Sequence, residues 1–196
     1  MLETLINSML SLNYSVFTHD TKPFNLNIVG VRSDTPKVNE FNDNMFVFWK
    51  YKGYWNYITM QCTTLPGLKY LETPINPAGC AILVPGQYRS TYALDLHNSK
   101  YMALCQRLGN VSVYRDDNED QKYDMNDMSI QTGEFGINIH RADKDYEVEL
   151  VNGYSAGCQV IENPSEYDIF INICEKSEEY WGNSFTYTLL TESQLV

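Results

Sequence analysis

The chain predicts a mainly β, α+β domain: an antiparallel sandwich or barrel-like sheet with an amphipathic helix at the N-terminus and one late helix. Three observations carry this. Short apolar runs rich in aromatic and β-branched residues recur along the sequence, punctuated by Pro-Gly and Asn-Gly dipeptides. Residues 2–12 carry a helical stripe instead. A helix start is written at Asn163-Pro164.

In order, Leu2, Leu5, Ile6, Met9 and Leu10 fall on one helical face. The opposite face holds Glu3, Thr4, Asn7 and Ser8 where a membrane-surface helix wants Lys or Arg, so this helix is expected to dock on the domain core, with a partner subunit as the minor alternative. Leu26–Arg32, Met45–Tyr51 and Trp55–Met60 read as strands, the last two joined by a hairpin turn at Lys52-Gly53. Further strands are expected at Ala81–Val84, Tyr101–Leu104, Val111–Tyr114, Gly136–His140, Tyr146–Val151 and Phe185–Leu190. Pro66-Gly67, Pro85-Gly86 and Asn152-Gly153 separate them. Asn163 can cap a helix whose first position is Pro164 and whose Glu166 completes a capping box; Tyr167, Phe170, Ile171 and Cys174 form its core stripe. The chain divides into 1–79, a helix and strand-rich segment packed on the same domain, and 80–196, which carries the chemistry.

A length of 196 residues suits one domain with a sizeable core, and 43% hydrophobic residues with 13% aromatics exclude a disordered chain. The net charge of −11 opposes binding to nucleic-acid phosphate or anionic lipid. No apolar run is long enough to span a membrane, and the N-terminus lacks the basic region of a secretory signal. Five irregularly spaced cysteines read as free thiols; Cys62, Cys80, Cys105 and Cys174 sit in apolar or loop surroundings and are expected to be inert.

Cys158 differs. It closes Ser155-Ala156-Gly157-Cys158, a turn of small residues that can expose backbone N–H groups beside the sulfur, as an oxyanion hole requires. Upstream, Asn138 and His140 share one face of an alternating run while Ile137 and Ile139 take the other. His140 is therefore the candidate base for the Cys158 thiol, with Asn138 orienting its ring or lining the pocket. A base beside the sulfur is expected to lower the thiol pKa and speed its alkylation. Gly157 and Ser155 are candidates for the oxyanion hole and substrate contact, and Arg141 for gripping a substrate carboxylate if the chain turns there. His19 and His97 have no such context. Asp116, Asn118 and Asp120 are spaced as in a calcium loop, but Gln121 replaces the usual Gly and no Glu occupies the twelfth position, so a solvated acidic loop is the preferred reading.

Through His140 and Ser155-Ala156-Gly157-Cys158 the chain resembles the L,D-transpeptidase (YkuD-like) family, whose motif is a His followed some fourteen to seventeen residues later by Ser/Thr-His-Gly-Cys. The runs Thr63–Gly67, Gly136–Arg141 and Ser155–Gln159 look like phage-encoded relatives of it. The resemblance implies a YkuD-like fold and a cysteine enzyme that forms a thioester with peptidoglycan stem peptides, for transpeptidation or hydrolysis, with no cofactor required. It also implies a phage wall-degrading protein, made in the cytoplasm and reaching the wall in a virion, by lysis or by injection. Ala156 stands where the family has a second His, Arg141 where it has Gly, and Gln159-Val160 where it has a pair ending in Arg. These departures favour the alternative, a virion or assembly component that keeps the fold without catalysis. A cysteine peptidase acting on proteins is a third reading.

Overall fold

Lys52 and Gly53 both adopt positive φ, 50° and 85°, the backbone a two-residue hairpin turn needs to match strand twist. The turn joins β2 (Asp43–Tyr51) to β3 (Tyr54–Thr63), which pair along their whole length. The computed structural model describes Met1–Val196 and builds outward from this hairpin. It has eleven strands and three α-helices.

The remaining strands are β1 (Asn27–Arg32), β4 (Cys80–Leu83), β5 (Gly86–His97), β6 (Tyr101–Gln106), β7 (Val111–Asp116), β8 (Gln131–Gly133), β9 (Ile139–Arg141), β10 (Gln159–Ile161) and β11 (Phe185–Thr191). Eight close into a barrel in the order β1-β11-β5-β6-β9-β10-β3-β2, and β4-β7-β8 form a separate three-stranded sheet. Two barrel pairs, β1 with β11 and β9 with β10, are parallel, which departs from the antiparallel sheet expected. The segment 1–79 supplies three adjacent staves, β1–β3, and 80–196 the other five.

The parallel β1–β11 pair lies under helix α1 (Leu2–Ser11) and is buried on both faces, as parallel strands generally are. Ile28 and Leu189 join the barrel core, whereas Val29, Val31 and Leu190 pack with Leu5 and Met9 of α1. Leu10, expected in the helix stripe, is exposed at the edge of that contact. Helix α2 (Leu68–Glu72) is a single short turn. In α3 (Pro164–Trp181), the Asn163 side chain accepts from the N–H groups of Ser165 and Glu166, as its capping position predicts. Tyr167, Phe170 and Cys174 of α3 enter the barrel core, and Ile171 packs at its margin.

Three expectations need correction. Tyr146–Val151 forms no strand: Val148 and Val151 instead pack on Phe41 and Val160, while Glu147 and Glu149 face solvent. Gly136–His140 is a strand only from Ile139, because Gly136 takes φ +71° and turns the chain. Cys158 consequently does not lie between a strand and α3. It enters β10, which then leads into α3.

Candidate functional site

Parallel pairing of β9 and β10 builds the site. Gln159 stands opposite Ile139, and the Gln159 N–H donates to the Asn138 carbonyl at 2.9 Å. Cys158 is thereby set beside Asn138, on the face turned away from the core that Ile139 and Ile161 enter. β10 also pairs with β3 through Val160 and Thr63, and the Gly67 N–H donates to the Ser155 carbonyl at 2.9 Å. The runs 63–67 and 136–141, far apart in sequence, thus both pair with the 155–160 segment, and only Gly136 and Asn138 reach the sulfur.

The turn itself is rigid. Ser155 is fully buried; its hydroxyl donates to the Cys158 carbonyl at 2.8 Å and accepts from the Gly157 N–H at 3.1 Å. Ser155 therefore braces the turn and has no group left for a substrate, and the Gly157 N–H is not available as an oxyanion donor. The Cys158 N–H has no acceptor within the chain. Gly157 adopts φ +121°, and any Cβ there would collide with the Ala81 carbonyl oxygen, so both backbone and space require glycine.

The Cys158 sulfur lies 3.4 Å from the Asn138 N–H and 3.4 Å from the Gly136 carbonyl. A carbonyl only accepts, so the resting thiol points its proton at Gly136. Burial pushes this thiol up to about 11, against a smaller lowering by the Asn138 N–H. This reverses the depressed pKa expected from the sequence, because no cation stands beside the sulfur. The other four cysteines are buried, and Cys158 alone among them is partly open.

His140 is 4% exposed, and its Nδ1 lies 2.7 Å from the Arg141 carbonyl. Since that carbonyl can only accept, Nδ1 carries the proton and Nε2 keeps its lone pair. Nε2 makes no hydrogen bond within the chain, and the ring lines the same cavity as Cys158, of about 430 Å³. No hydrogen bond joins the two residues directly. Burial first, then the neighbouring His97, hold the imidazole down at about 3, so it rests neutral.

His97, given no role from the sequence, stacks on His140 with ring centroids 4.2 Å apart. The Asn138 amide connects them to the scaffold: its oxygen accepts from the Gln106 N–H at 2.9 Å, so its nitrogen faces His97 Nδ1 at 3.0 Å. His97 Nδ1 therefore accepts from the Asn138 amide, and His97 Nε2 lies 3.0 Å from the Asn98 side-chain nitrogen. The signal that marks His97 is the hairpin His97-Asn98-Ser99-Lys100-Tyr101, in which Asn98 and Ser99 take positive φ and His97 pairs with Tyr101. Tyr101 contributes its hydroxyl 3.3 Å from His140 Nδ1.

Arg141 faces elsewhere. Its guanidinium stacks on Tyr101 at 4.1 Å and lines a separate hollow against α3 with Tyr167 and Asp168. The cations that share a cavity with Cys158 are Arg107, ion-paired to Asp95 at 2.7 Å, and Arg115, which lines a second one. In the acidic loop, Asp116, Asn118 and Asp120 each accept from a backbone N–H of the same loop, and no three His, Cys, Asp or Glu side chains converge as metal ligands. No helix is long and apolar enough to cross a membrane.

The fold and site together define an α+β barrel protein with a cysteine and a neutral histidine sharing one cleft. No family model, no curated protein and no solved structure matches the chain.

Proposed function

We propose that this chain is a cysteine-dependent acyl-transfer enzyme of the L,D-transpeptidase-like (YkuD-like) kind, acting on peptidoglycan stem peptides. The observation that carries the reading is the shared cavity of Cys158 and a His140 whose Nδ1 is fixed by the Arg141 carbonyl, leaving Nε2 as the free base. In the first half-reaction the thiol turns from the Gly136 carbonyl, gives its proton to His140 Nε2 and attacks a stem-peptide carbonyl. The unused Cys158 N–H is the donor available to the oxyanion. Collapse of the tetrahedral intermediate breaks the peptide C–N bond, His140 returns the proton to the leaving amine, and a thioester remains on Cys158. An amine then completes transpeptidation, or water completes hydrolysis.

A thiol near 11 beside an imidazole near 3 opposes proton transfer in the resting site, so transfer must accompany attack. The same pairing, with no direct Cys158–His140 hydrogen bond, favours a second reading: a virion or assembly component that retains the arrangement without turnover. Mass analysis of muropeptides after incubation with purified sacculi separates them. The enzyme changes cross-links or terminal residues, and Cys158→Ala does not. Identical profiles for both proteins, across several wall chemistries, move the conclusion to the assembly role.

A further inference from the structure

A second cavity, of about 330 Å³, is lined by Cys158 but not by His97, and it shares Ile75, Phe135, Gly136 and Ala156 with the first. Cys158 therefore lines both arms of one cleft. The second arm is largely apolar, walled by Ile75, Ala81 and Phe135, and its one cation is Arg115.

Arg115 is 91% buried, being 9% exposed, and takes part in no ion pair. Its Nε donates to the Gln131 side chain at 3.0 Å and its Nη1 to the Gly79 carbonyl at 3.2 Å. The Phe135 ring covers one face of the guanidinium at 4.7 Å. Nη2 makes no hydrogen bond within the chain, although the guanidinium lines the cavity. A buried charge without a counter-ion is costly, and a guanidinium clamped on two edges with one edge free is pre-organised for an anion. Glu134 also lines this arm, but it is exposed at the surface. In a chain of net charge −11, an unpaired arginine lining a cavity that Cys158 also lines stands against the surrounding field.

Resting on the acyl-transfer reading, we propose that Arg115 is a specificity residue that holds a free carboxylate of the peptide while a neighbouring carbonyl of that peptide lies at Cys158. Arg115 takes the role that the sequence suggested for Arg141, which lines a separate hollow. The ligand class is a short peptide bearing a carboxylate; the apolar wall takes its aliphatic part.

The test uses the full chain and two probes, an N-acetylated stem tetrapeptide and the same peptide with its terminal carboxylate converted to an amide. Binding is read by protection of Cys158 from a neutral alkylating reagent at high pH, and separately by calorimetry on Cys158→Ala. The acid is expected to bind at least about tenfold more tightly than the amide, because a charge-assisted hydrogen bond is lost in the latter. Arg115→Gln should erase the difference, and Arg115→Lys should restore part of it. In turnover, Arg115→Gln should raise KM for the acid with kcat little changed. Equal binding of acid and amide by the wild-type protein overturns the proposal even if Arg115→Gln does not fold, and so does failure of the acid to bind. If acid and amide bind equally while Cys158-dependent turnover persists, the subsite falls and the acyl-transfer reading stands. If Arg115-dependent discrimination persists without turnover, the subsite stands and that reading falls.

Discussion

Two buried polar constellations in this barrel are finished in opposite ways. Arg32, 2% exposed, donates from Nε to the Thr64 hydroxyl at 2.8 Å and from Nη2 to the carbonyls of Thr64 and Leu83 at 3.0 and 2.9 Å. The Thr64 hydroxyl passes its own proton to Asp43 at 2.8 Å, and Asp43 also receives the N–H groups of Ser33 and Thr64. This network ties β1, β2 and the end of β3 to β4, and it turns no open group toward a cavity. The His97–Asn138–His140–Cys158 group is anchored just as firmly from behind, by Gln106, Arg141 and Tyr101. Yet His140 Nε2 and the thiol face a cleft. Buried polar groups are normally satisfied, so a rigid set left open on one side marks a place built to meet something from outside.

Breaking the closed network should show most strongly, and as stability. Asp43→Ala leaves the Arg32 charge uncompensated in the core and is expected to cost about 3–5 kcal/mol in denaturant unfolding. Cys158→Ala should instead leave the unfolding midpoint nearly unchanged. Comparable losses from both would erase the distinction between the two groups.

Acid should act next, and through the open group. His140 titrates near 3 in the folded protein but near its ordinary 6.5 when unfolded. Between those values the unfolded chain binds the extra proton, so stability is full above about pH 6.5 and falls as pH drops toward 3. The contribution from one such group is about 1.4 kcal/mol per pH unit, and His140→Gln should flatten the corresponding part of the pH–stability curve. An unchanged curve would mean the ring is not held neutral.

Thiol reactivity sharpens the contrast between resting and working states. With Cys158 up at about 11, its thiolate is roughly a thousandth of the total at pH 8, so iodoacetamide should label it far more slowly than free cysteine. The rate should climb through pH 10 and above, with Cys158 labelled before the four buried thiols. Fast labelling near neutral pH would show a base already acting on the resting sulfur. The smallest effect expected is at the acidic loop: melting temperature should move by no more than about 1 °C between chelator and millimolar calcium, since an ion bound only by the native state would raise it.

Much of this was legible in local chemistry. The Lys52-Gly53 turn, the α1 stripe and the Asn163-Pro164 cap each commit a few neighbouring residues to one geometry, and each reads correctly from those residues alone save for Leu10, which is exposed. Strand β5 was missed because Pro85-Gly86 reads as a turn and the first half of the strand, Gln87 to Thr91, is polar and partly exposed. Tyr146–Val151 misled because its alternation matches a strand, whereas Val148 and Val151 pack on Phe41 and Val160 without joining a sheet. The parallel contacts β1–β11 and β9–β10 join residues far apart in sequence and leave no local signature. At the site, Cys158, His140 and Asn138 were visible as residue types in an alternating pattern. His97 and Arg115 were not, because only barrel closure and the β4–β7–β8 sheet bring them to the sulfur. The same closure turns Arg141 away, stacked on Tyr101.

The central claim is that Cys158 and His140 form one working site, and the most direct measurement is intact-protein mass after mixing with stem tetrapeptide and quenching in acid. A thioester adduct is expected on Cys158, with a mass equal to the peptide less the departed amine. It should be absent from Cys158→Ala and should form at a small fraction of the wild-type rate in His140→Ala. A wild-type protein that never gains mass, with the peptide recovered unchanged, would contradict it.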